Sequence, residues 1–225
     1  MATSKKSAPK DDVTPEELRA PLLKAMLTHA GFDGWGEAAM KHAASDVGCT
    51  PEMAELAYPL GPIELLTAHL DNADTRLMAA LKDADMASMK IRDRITFAVR
   101  TRIEQAAPHR DAVQRGMATL ALPQHTATGL KALSHTMDLM WRAAGDTATD
   151  YNWYTKRMTL AGVYMSTLTF WFADDSDDFA DTWEFLDRRI EDVMKIETAK
   201  YNWRQSKSHR PSFKRFFDRL RSGPK

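Results

Sequence analysis

Apolar residues recur at intervals of three and four through most of the chain, which is the spacing of amphipathic helices. The first such stripe contains Leu18, Leu22, Leu23, Met26 and Leu27. The preceding segment, Thr14-Pro15-Glu16-Glu17, matches a capping box with proline at the first helical position. Sustained period-two alternation is absent, and so is an Asn-Gly or Asp-Gly hairpin between apolar runs. The pattern predicts an all-α fold of nine or ten helices.

Residues 35–58 have the layout of a helix-turn-helix, with a Gly-containing turn before a short second helix. Thr50 and Pro51 are suited to cap and begin that second helix. It carries Glu52 and Glu55, however, and has no Lys, Arg, Asn or Gln. Residues 11–75 contain twelve acidic and three basic side chains. Because DNA binding depends on basic groups that neutralise phosphates, we interpret residues 14–82 as a helix-turn-helix scaffold that does not bind DNA.

Residues 158–173 form a sixteen-residue run without a charged side chain. Spanning a bilayer takes about 20 apolar residues, so a buried helix is the better interpretation. A helix that is apolar nearly all round either lies in the core or borders an apolar cavity. Both interpretations remain open at this point. If the run borders a lipid pocket, the side chains that would contact the lipid are Tyr164, Met165, Leu168, Trp171 and Phe172.

The C-terminal residues 198–225 carry nine basic side chains and one acidic side chain. Within 210–221 the spacing i, i+3, i+4, i+7 is occupied by Phe213, Phe216, Phe217 and Leu220, and Lys214 and Arg215 lie among them. This pattern is typical of an interfacial membrane helix, to which anionic lipid contributes about 1 kcal/mol per basic residue. Residues 198–209 are predicted to be a linker. A helix packed on the body and a nucleic-acid patch are the alternatives.

Catalytic and metal-binding motifs are missing. The sequence has no Gly-rich phosphate loop, no serine nucleophile elbow and no closely spaced His or Cys pair. The single cysteine, Cys49, fits a small buried residue in a reducing compartment. The acidic loop 174–178 is better explained as a helix cap than as a cation site, because acidic groups are favoured at helix N-termini. We therefore expect a protein that is not an enzyme and has neither a cofactor nor a metal site.

A family resemblance is carried by the stretch 140–186. It resembles the ninth coenzyme Q (ubiquinone) biosynthesis protein family, and Tyr58-Pro59, Gly61 and Leu122–His125 are similar to its bacterial members. The likeness covers about residues 18–197. The matching residues are Met140-Trp141, Ala144-Gly145-Asp146, Thr149-Asp150, Asn152-Trp153-Tyr154-Thr155, Arg157, Leu160-Ala161, Tyr164, Asp175-Ser176, Asp178-Phe179, Asp181-Thr182-Trp183 and Phe185-Leu186.

The resemblance implies a fold like that of TetR-family regulators, an isoprenoid-lipid pocket among the later helices and no catalysis by the chain itself. It also implies a surface that engages the di-iron hydroxylase acting on demethoxyubiquinone. On the family motif, the residues of that surface are Met140, Asp150, Trp153, Tyr154 and Arg157. TetR-like folds often pair through their last two helices, so a homodimer is expected.

Together with this resemblance, the observations predict a lipid-binding accessory protein that presents an isoprenoid quinone intermediate to the hydroxylase at a membrane surface. The expected bound lipid is an isoprenoid quinone or a phospholipid, and no nucleic acid is expected as a partner. The predicted parts are a tail at 1–13, a helical domain at 14–197 with its lipid-binding body at 83–197, and the membrane helix at 210–221. The N-terminal residues lack the features of a secretory signal or a mitochondrial presequence, so we expect a bacterial cytoplasmic protein, peripheral on the inner membrane. The alternative is a TetR-type ligand-responsive transcription regulator.

Overall fold

The computed structural model describes residues 13–147 and 151–208, without the side chains of 151–152 and 196–208. Within these ranges the chain forms nine α-helices, three short 3-10 turns and no strand. This agrees with the predicted all-α fold. The helices are α1 (Pro15–Asp33), α2 (Glu37–Val47), α3 (Pro51–Ala57), α4 (Pro62–Asp83), α5 (Ile91–Glu104), α6 (Arg110–Leu120), α7 (Thr126–Ala143), α8 (Tyr151–Trp171) and α9 (Ala180–Ser208).

The helix starts predicted near residues 14 and 50 form as capped N-termini. The Thr14 hydroxyl accepts a hydrogen bond from the Glu17 amide, and the Glu17 carboxylate accepts one from the Thr14 amide. The Thr50 hydroxyl accepts the Met53 amide at the start of α3. Gly48 ends α2 in the left-handed conformation, with φ of 77°, which favours glycine. The helix-turn-helix layout therefore follows from local turn and capping residues.

The helices enclose two apolar cores. The first packs α1, α2 and α3 against the beginning of α4, with Leu22, Met26 and Leu65 fully enclosed. The second packs the end of α4 against α5, α7, α8 and α9, around Leu77 and Met140. Because α4 contributes to both cores, this helix joins the N-terminal part to the C-terminal body.

The predicted linker at 198–209 differs from the structure, since α9 continues as a helix to Ser208. The basic and polar composition of this segment suggested a tether. It contains no Gly or Pro before Pro211, however, and its residues include good helix formers that continue the preceding turns. Residues 1–12 of the predicted tail and the predicted membrane helix, including Phe213, Lys214, Arg215, Phe216, Phe217 and Leu220, lie outside the described residues.

Candidate functional site

A partly open cavity of about 260 Å³ lies among α4, α5, α6, α7 and α8. Most of its wall is apolar, with Leu66, Val113, Met117, Leu133 and Leu168 among the lining residues. A more open groove of about 500 Å³ adjoins it and shares three of its lining residues, which are Met117, Ala121 and Met165. The cavity and the groove are therefore neighbouring, mostly apolar spaces, which is the type of space that apolar ligands occupy.

Gly116 of α6 and Gly129 of α7 both line this cavity. A Cβ atom at Gly116 would lie 2.9 Å from Leu66 Cδ1, and one at Gly129 would lie 3.1 Å from Leu120 Cβ. Both distances are shorter than an ordinary van der Waals contact. The close approach of α6 and α7 to their neighbours therefore depends on the absence of side chains at these two positions.

The residues predicted to contact lipid separate into two groups. Tyr164, Met165 and Leu168 line the cavity, and Phe172 lines the groove. Trp171 lines neither space. It is fully buried in the second core, where the Arg110 guanidinium lies 5.4 Å from its ring centre. Successive residues of a helix point about 100° apart, so Trp171 faces the core while its neighbours on α8 face the cavity, and its predicted lipid contact is corrected accordingly.

Sequence reasoning missed most of the cavity wall, because this wall comes from α4, α5, α6 and α7. Each of these helices showed an apolar stripe in the sequence, and the stripe indicates which face is buried. It does not indicate which other helix lies opposite. The missed apolar residues include Leu66, Leu70, Val113, Met117, Leu120, Leu130 and Leu133.

Five polar side chains interrupt the apolar wall: His69 on α4, Arg102 on α5, Thr126 and Thr136 on α7, and Tyr164 on α8. Arg102 is buried and pairs with the buried Asp74, with Nε 3.3 Å from Oδ1. The Thr136 hydroxyl lies 2.9 Å and 3.0 Å from the two Asp74 oxygens, to which it can donate. Asp74 therefore anchors two of the five polar groups from behind the cavity wall.

Burial shifts the pKa values of Asp74, Tyr164 and His69 in the direction that favours the uncharged form of each side chain. It raises the pKa of Asp74, against the opposing effects of Arg102 and the Thr136 hydrogen bond. It also raises the pKa of Tyr164, so the phenol keeps its proton. Burial, together with the nearby Arg102, lowers the pKa of His69 to about 4. His69 is consequently neutral at physiological pH.

The residues predicted to bind a partner also separate into two groups. Trp153 is half-buried, while Tyr154 and Met158 are 62% and 75% exposed. The rings of Trp153 and Tyr154 meet edge to face, with their centres 4.7 Å apart. We call Trp153, Tyr154 and Met158 the α8 surface patch. Large exposed apolar side chains in a contiguous group are typical of protein-binding surfaces.

Met140 and Arg157 do not belong to that exposed surface, which corrects their predicted role as contact residues. Met140 is fully buried in the second core. Arg157 is also buried and forms ion pairs with Asp138 and Asp146, each at 2.8 Å. Its guanidinium lies 4.5 Å from the centre of the Trp153 ring. Arg157 therefore supports the α8 surface patch from below, and Asp150 lies outside the described residues.

The acidic loop between α8 and α9 is confirmed as a helix cap. The Asp174 carboxylate accepts hydrogen bonds from the Thr182 amide at 2.9 Å and from the Ser176 amide at 2.8 Å. Burial opposes the charge of Asp174, but the bonds from Ser176 and Thr182 outweigh it and lower its pKa to about 2. The N-terminus of α9 is thus held by a charged carboxylate from the preceding loop.

An exposed His–Asp cluster joins α1 to α2. His29 Nε2 lies 2.6 Å from Asp46, and His42 Nδ1 lies 3.2 Å from Asp33. The potential ligand atoms of His29, Asp33 and His42 lie within 4.8 Å of one another. The sequence search for metal ligands considered spacings along one helix and so missed this cluster. Reciprocal His–Asp pairs account for the grouping, and the expected absence of a metal site stays a prediction.

Among the described helices, none has the length and apolar character needed to cross a membrane. The helix order and the internal apolar cavity define a class, that of TetR-like all-α proteins. The crystal structure of a TetR transcriptional regulator from Nitrosomonas europaea matches with a TM-score of 0.65 and 19% identity, covering 77% of this chain and 96% of that one. At this identity the match describes the fold alone.

The particular family within that fold follows from sequence matches. The family model COQ9 matches residues 126–197. The mitochondrial ubiquinone biosynthesis protein COQ9 of Rattus norvegicus is 33% identical over 198 residues, and that of Homo sapiens is 32% identical. Both matches cover 84% of this chain and 63% and 62% of the respective relatives. The chain belongs to the COQ9 family and spans less than two-thirds of the length of these relatives.

Proposed function

We propose that this protein is a non-catalytic accessory protein of ubiquinone biosynthesis that binds an isoprenoid quinone intermediate. It presents this lipid to the demethoxyubiquinone hydroxylase at a membrane surface. The observation that carries the proposal is the apolar cavity beside an apolar groove, in a chain of the COQ9 family. A prenyl chain is flexible and wholly apolar, so burial of its surface favours binding by about 25 cal/mol per Å².

Filling the cavity tests this proposal. Ala132 of α7 lines the cavity, and Ala132→Phe would place a ring inside it. Ala127 lies on the same helix, is exposed and does not line the cavity, so Ala127→Phe is the matched control. Mass spectrometry of the purified full chain should find a co-purifying isoprenoid lipid in the wild type and in Ala127→Phe, and a large loss in Ala132→Phe. Absence of such a lipid from all three proteins would refute the proposal.

The hydroxylase is proposed to bind at the α8 surface patch. Tyr154 and Met158 are exposed there, and the ion pairs of Arg157 fix the position of the half-buried Trp153. Aromatic side chains held in a fixed position on a surface are enriched among the residues that dominate binding energy. The α8 surface patch lies near the start of α8, and the same helix borders the cavity. In this proposal, α8 therefore contacts both the lipid and the enzyme.

Membrane contact and dimerisation belong to the same proposal. The basic segment 210–221 is proposed to bind the anionic cytoplasmic face of a bacterial inner membrane. Flotation with phosphatidylglycerol vesicles would compare membrane binding by the full chain and by residues 1–209.

A homodimer is proposed through α8 and α9, where Phe170 is partly exposed and its ring stacks on that of Phe185, with the ring centres 4.6 Å apart. Light scattering on wild type and Phe170→Glu measures the dimer.

The helix-turn-helix part of the described chain does not favour DNA binding over this proposal. On α3, which occupies the recognition-helix position, Glu52 and Glu55 are both exposed. Acidic side chains at these positions repel a phosphate backbone. A gel-shift measurement in low salt with non-specific duplex DNA should show no complex.

A further inference from the structure

Two histidines and two aspartates face one another where α1 packs against α2. His29 and Asp33 lie four residues apart on α1. His42 and Asp46 have the same spacing on α2, and residues four apart share one face of a helix. His29 Nε2 lies 2.6 Å from the Asp46 carboxylate, and His42 Nδ1 lies 3.2 Å from that of Asp33. The two helices therefore present matching His–Asp pairs to each other, and we call these four side chains the α1–α2 cluster.

The backbone that carries this cluster is fixed by packing on the inner faces of both helices. The residue after each histidine, Ala30 on α1 and Ala43 on α2, is fully buried in the first core. Trp35, in the turn between the helices, is also buried and donates its indole N–H to the Ala112 carbonyl at 2.8 Å. Side chains on packed helices are positioned more precisely than side chains on loops. The cluster therefore stands on a rigid support.

The geometry of three of these side chains fits a bound metal ion. The potential ligand atoms of His29, Asp33 and His42 lie within 4.8 Å of one another. Ligands of a tetrahedral zinc ion are about 3.3 Å apart, because each lies about 2.0–2.2 Å from the metal. The distance of 3.2 Å between His42 and Asp33 is close to this spacing. The side chains of all three are partly exposed, so an ion can reach them and water can take a fourth position.

The donor atoms select the class of metal. Imidazole nitrogens suit zinc, nickel and copper, whereas magnesium and calcium prefer a set made of oxygen atoms alone. The carboxylates of Asp33 and Asp46 bring two negative charges, which balance a divalent cation. The surrounding residues 11–75 carry twelve acidic and three basic side chains, and such a field raises the local concentration of cations. The α1–α2 cluster therefore fits a divalent cation of the zinc class.

We propose that His29, Asp33 and His42 bind a divalent cation of the zinc class, which fastens the end of α1 to α2. Asp46 is a positioning residue, because a carboxylate bonded to a metal-binding imidazole fixes the orientation of the ring. This proposal departs from the absence of a metal site expected from the sequence, since the ligands come from two helices. The four side chains line neither the cavity nor the groove, so the inference goes beyond the proposed function.

Calorimetric titration of zinc chloride into the untagged full chain, after removal of metals with EDTA, tests the site. The wild type should bind one zinc ion at the cluster. His29→Gln with His42→Gln should weaken this binding by at least about 100-fold, since losing even an outer-sphere partner costs about 10–100-fold. The matched control is His125→Gln with His135→Gln, which also removes one half-buried and one exposed histidine. It should bind zinc as the wild type does.

Two single substitutions separate a ligand from a positioning residue. Asp33→Asn keeps both imidazoles and should weaken zinc binding by at least about 100-fold. Asp46→Asn should weaken it by only about tenfold, as expected for a group in the outer sphere. Circular dichroism should show the same metal-free unfolding midpoint for these two proteins and the wild type. The differences in zinc affinity then belong to the site and not to the fold.

A bound ion should also stabilise the fold, because the unfolded chain does not hold the ligands together. Zinc chloride should raise the thermal unfolding midpoint of the wild type and of the His125/His135 control, and leave that of the His29/His42 variant unchanged. Magnesium chloride at the same concentration should have no such effect. An equal response to magnesium and zinc would assign the effect to the acidic charge of residues 11–75 and overturn the site.

Equal zinc affinity in the wild type and in the His29/His42 variant would also overturn it. Failure of the metal site leaves the proposed function unaffected, because that function is tested by the lipid that co-purifies with the cavity variants.

Discussion

Arg157 is buried beside the half-buried Trp153 ring, and its guanidinium faces two carboxylates. The family motif places it with the partner-binding residues, whereas the structure shows it as their support. No sequence pattern could show this, because Asp138 and Asp146 lie 19 and 11 residues away in the chain. A motif records that residues occur together, and it does not distinguish a contact residue from a residue that positions it.

Arg157→Met should lower the free energy of unfolding by about 2–4 kcal/mol, because it removes the buried cation shared by Asp138 and Asp146 and leaves them only the more exposed Arg142 and Lys156. The matched control is Arg142→Ala. Arg142 pairs with the same Asp138 but is 68% exposed, so its loss should cost less than about 1 kcal/mol. Urea denaturation at pH 7 measures both variants. Equal effects of the two substitutions would contradict the buried network.

His69 makes the stability of the fold depend on pH. Its pKa is about 4 in the folded protein and 6.5 as the unperturbed value, so only the unfolded chain gains a proton between these values. Stability should therefore fall as the pH decreases from about 6.5 to 4, by up to about 3 kcal/mol, and this contribution should not change above pH 7.

Replacing His69 isolates its contribution to the pH dependence of stability. His69→Gln removes the titrating group, so its free energy of unfolding should decline less than that of the wild type between pH 6.5 and 4. His125→Gln, at the start of α7, is the control and should follow the wild-type curve. Chemical denaturation at a series of pH values gives the comparison, and parallel curves for all three proteins would exclude a role for His69.

At the scale of single elements, the start of α9 depends on a residue outside the helix. Asp174→Asn should destabilise the protein by about 2 kcal/mol, because the charge-assisted bonds to the Ser176 and Thr182 amides are lost. Asp175→Asn is the matched control, since the Asp175 side chain is 98% exposed. Thermal unfolding followed by circular dichroism should show a lower midpoint for Asp174→Asn only.

The same carboxylate has a predictable pH window. Its pKa is lowered from 3.8 to about 2 in the folded protein, so its stabilising contribution is present above about pH 4 and is lost as the pH falls through 2. The difference in stability between wild type and Asp174→Asn should accordingly become smaller in strong acid. A difference that stays constant between pH 7 and pH 2 would assign the effect to packing.

Helix starts were predictable because their signals are local. Thr14 and Thr50 each precede a proline, and each caps the helix that follows. The end of α9 was not predictable by the same reasoning, since a polar, basic sequence fits both a helix and a linker. The side of α8 on which Trp171 lies was also hidden, because an uncharged helix has no polar face to fix its rotation.

At the scale of the whole molecule, α8 contributes to both the α8 surface patch and the apolar cavity. Substitution of exposed residues should separate their functions: Tyr154→Ala with Met158→Ala removes most of the α8 surface patch without disturbing the core. This double variant should bind the hydroxylase at least tenfold more weakly and retain its co-purifying lipid. Leu56→Ala, an exposed apolar residue of α3, is the control for both measurements.

Surface plasmon resonance with the purified hydroxylase measures the first quantity, and mass spectrometry measures the second. Unchanged hydroxylase binding in the double variant would remove the α8 surface patch from the interface. Loss of both lipid and hydroxylase binding would show that the two sites are not separable.

The class of fold was predictable from the sequence, whereas the cavity was predictable only in part. Tyr164, Met165 and Leu168 followed from the uncharged run. His69 and Arg102 could not be predicted as lining residues, because each lies in a sequence that is typical of an ordinary amphipathic helix. A buried arginine on a half-polar helix becomes recognisable only when the helix opposite it is known. The polar end of the cavity therefore required the three-dimensional arrangement.

Gly116 and Gly129 on the cavity wall limit how the cavity can change by mutation. A glycine codon becomes an alanine codon by one base change, and a methyl group at Gly116 would lie 2.9 Å from Leu66. The shape of the cavity therefore depends on two positions where this substitution would crowd a neighbouring side chain. A methyl group at either position would displace a neighbouring side chain, so we expect both glycines to be retained in relatives that keep this cavity.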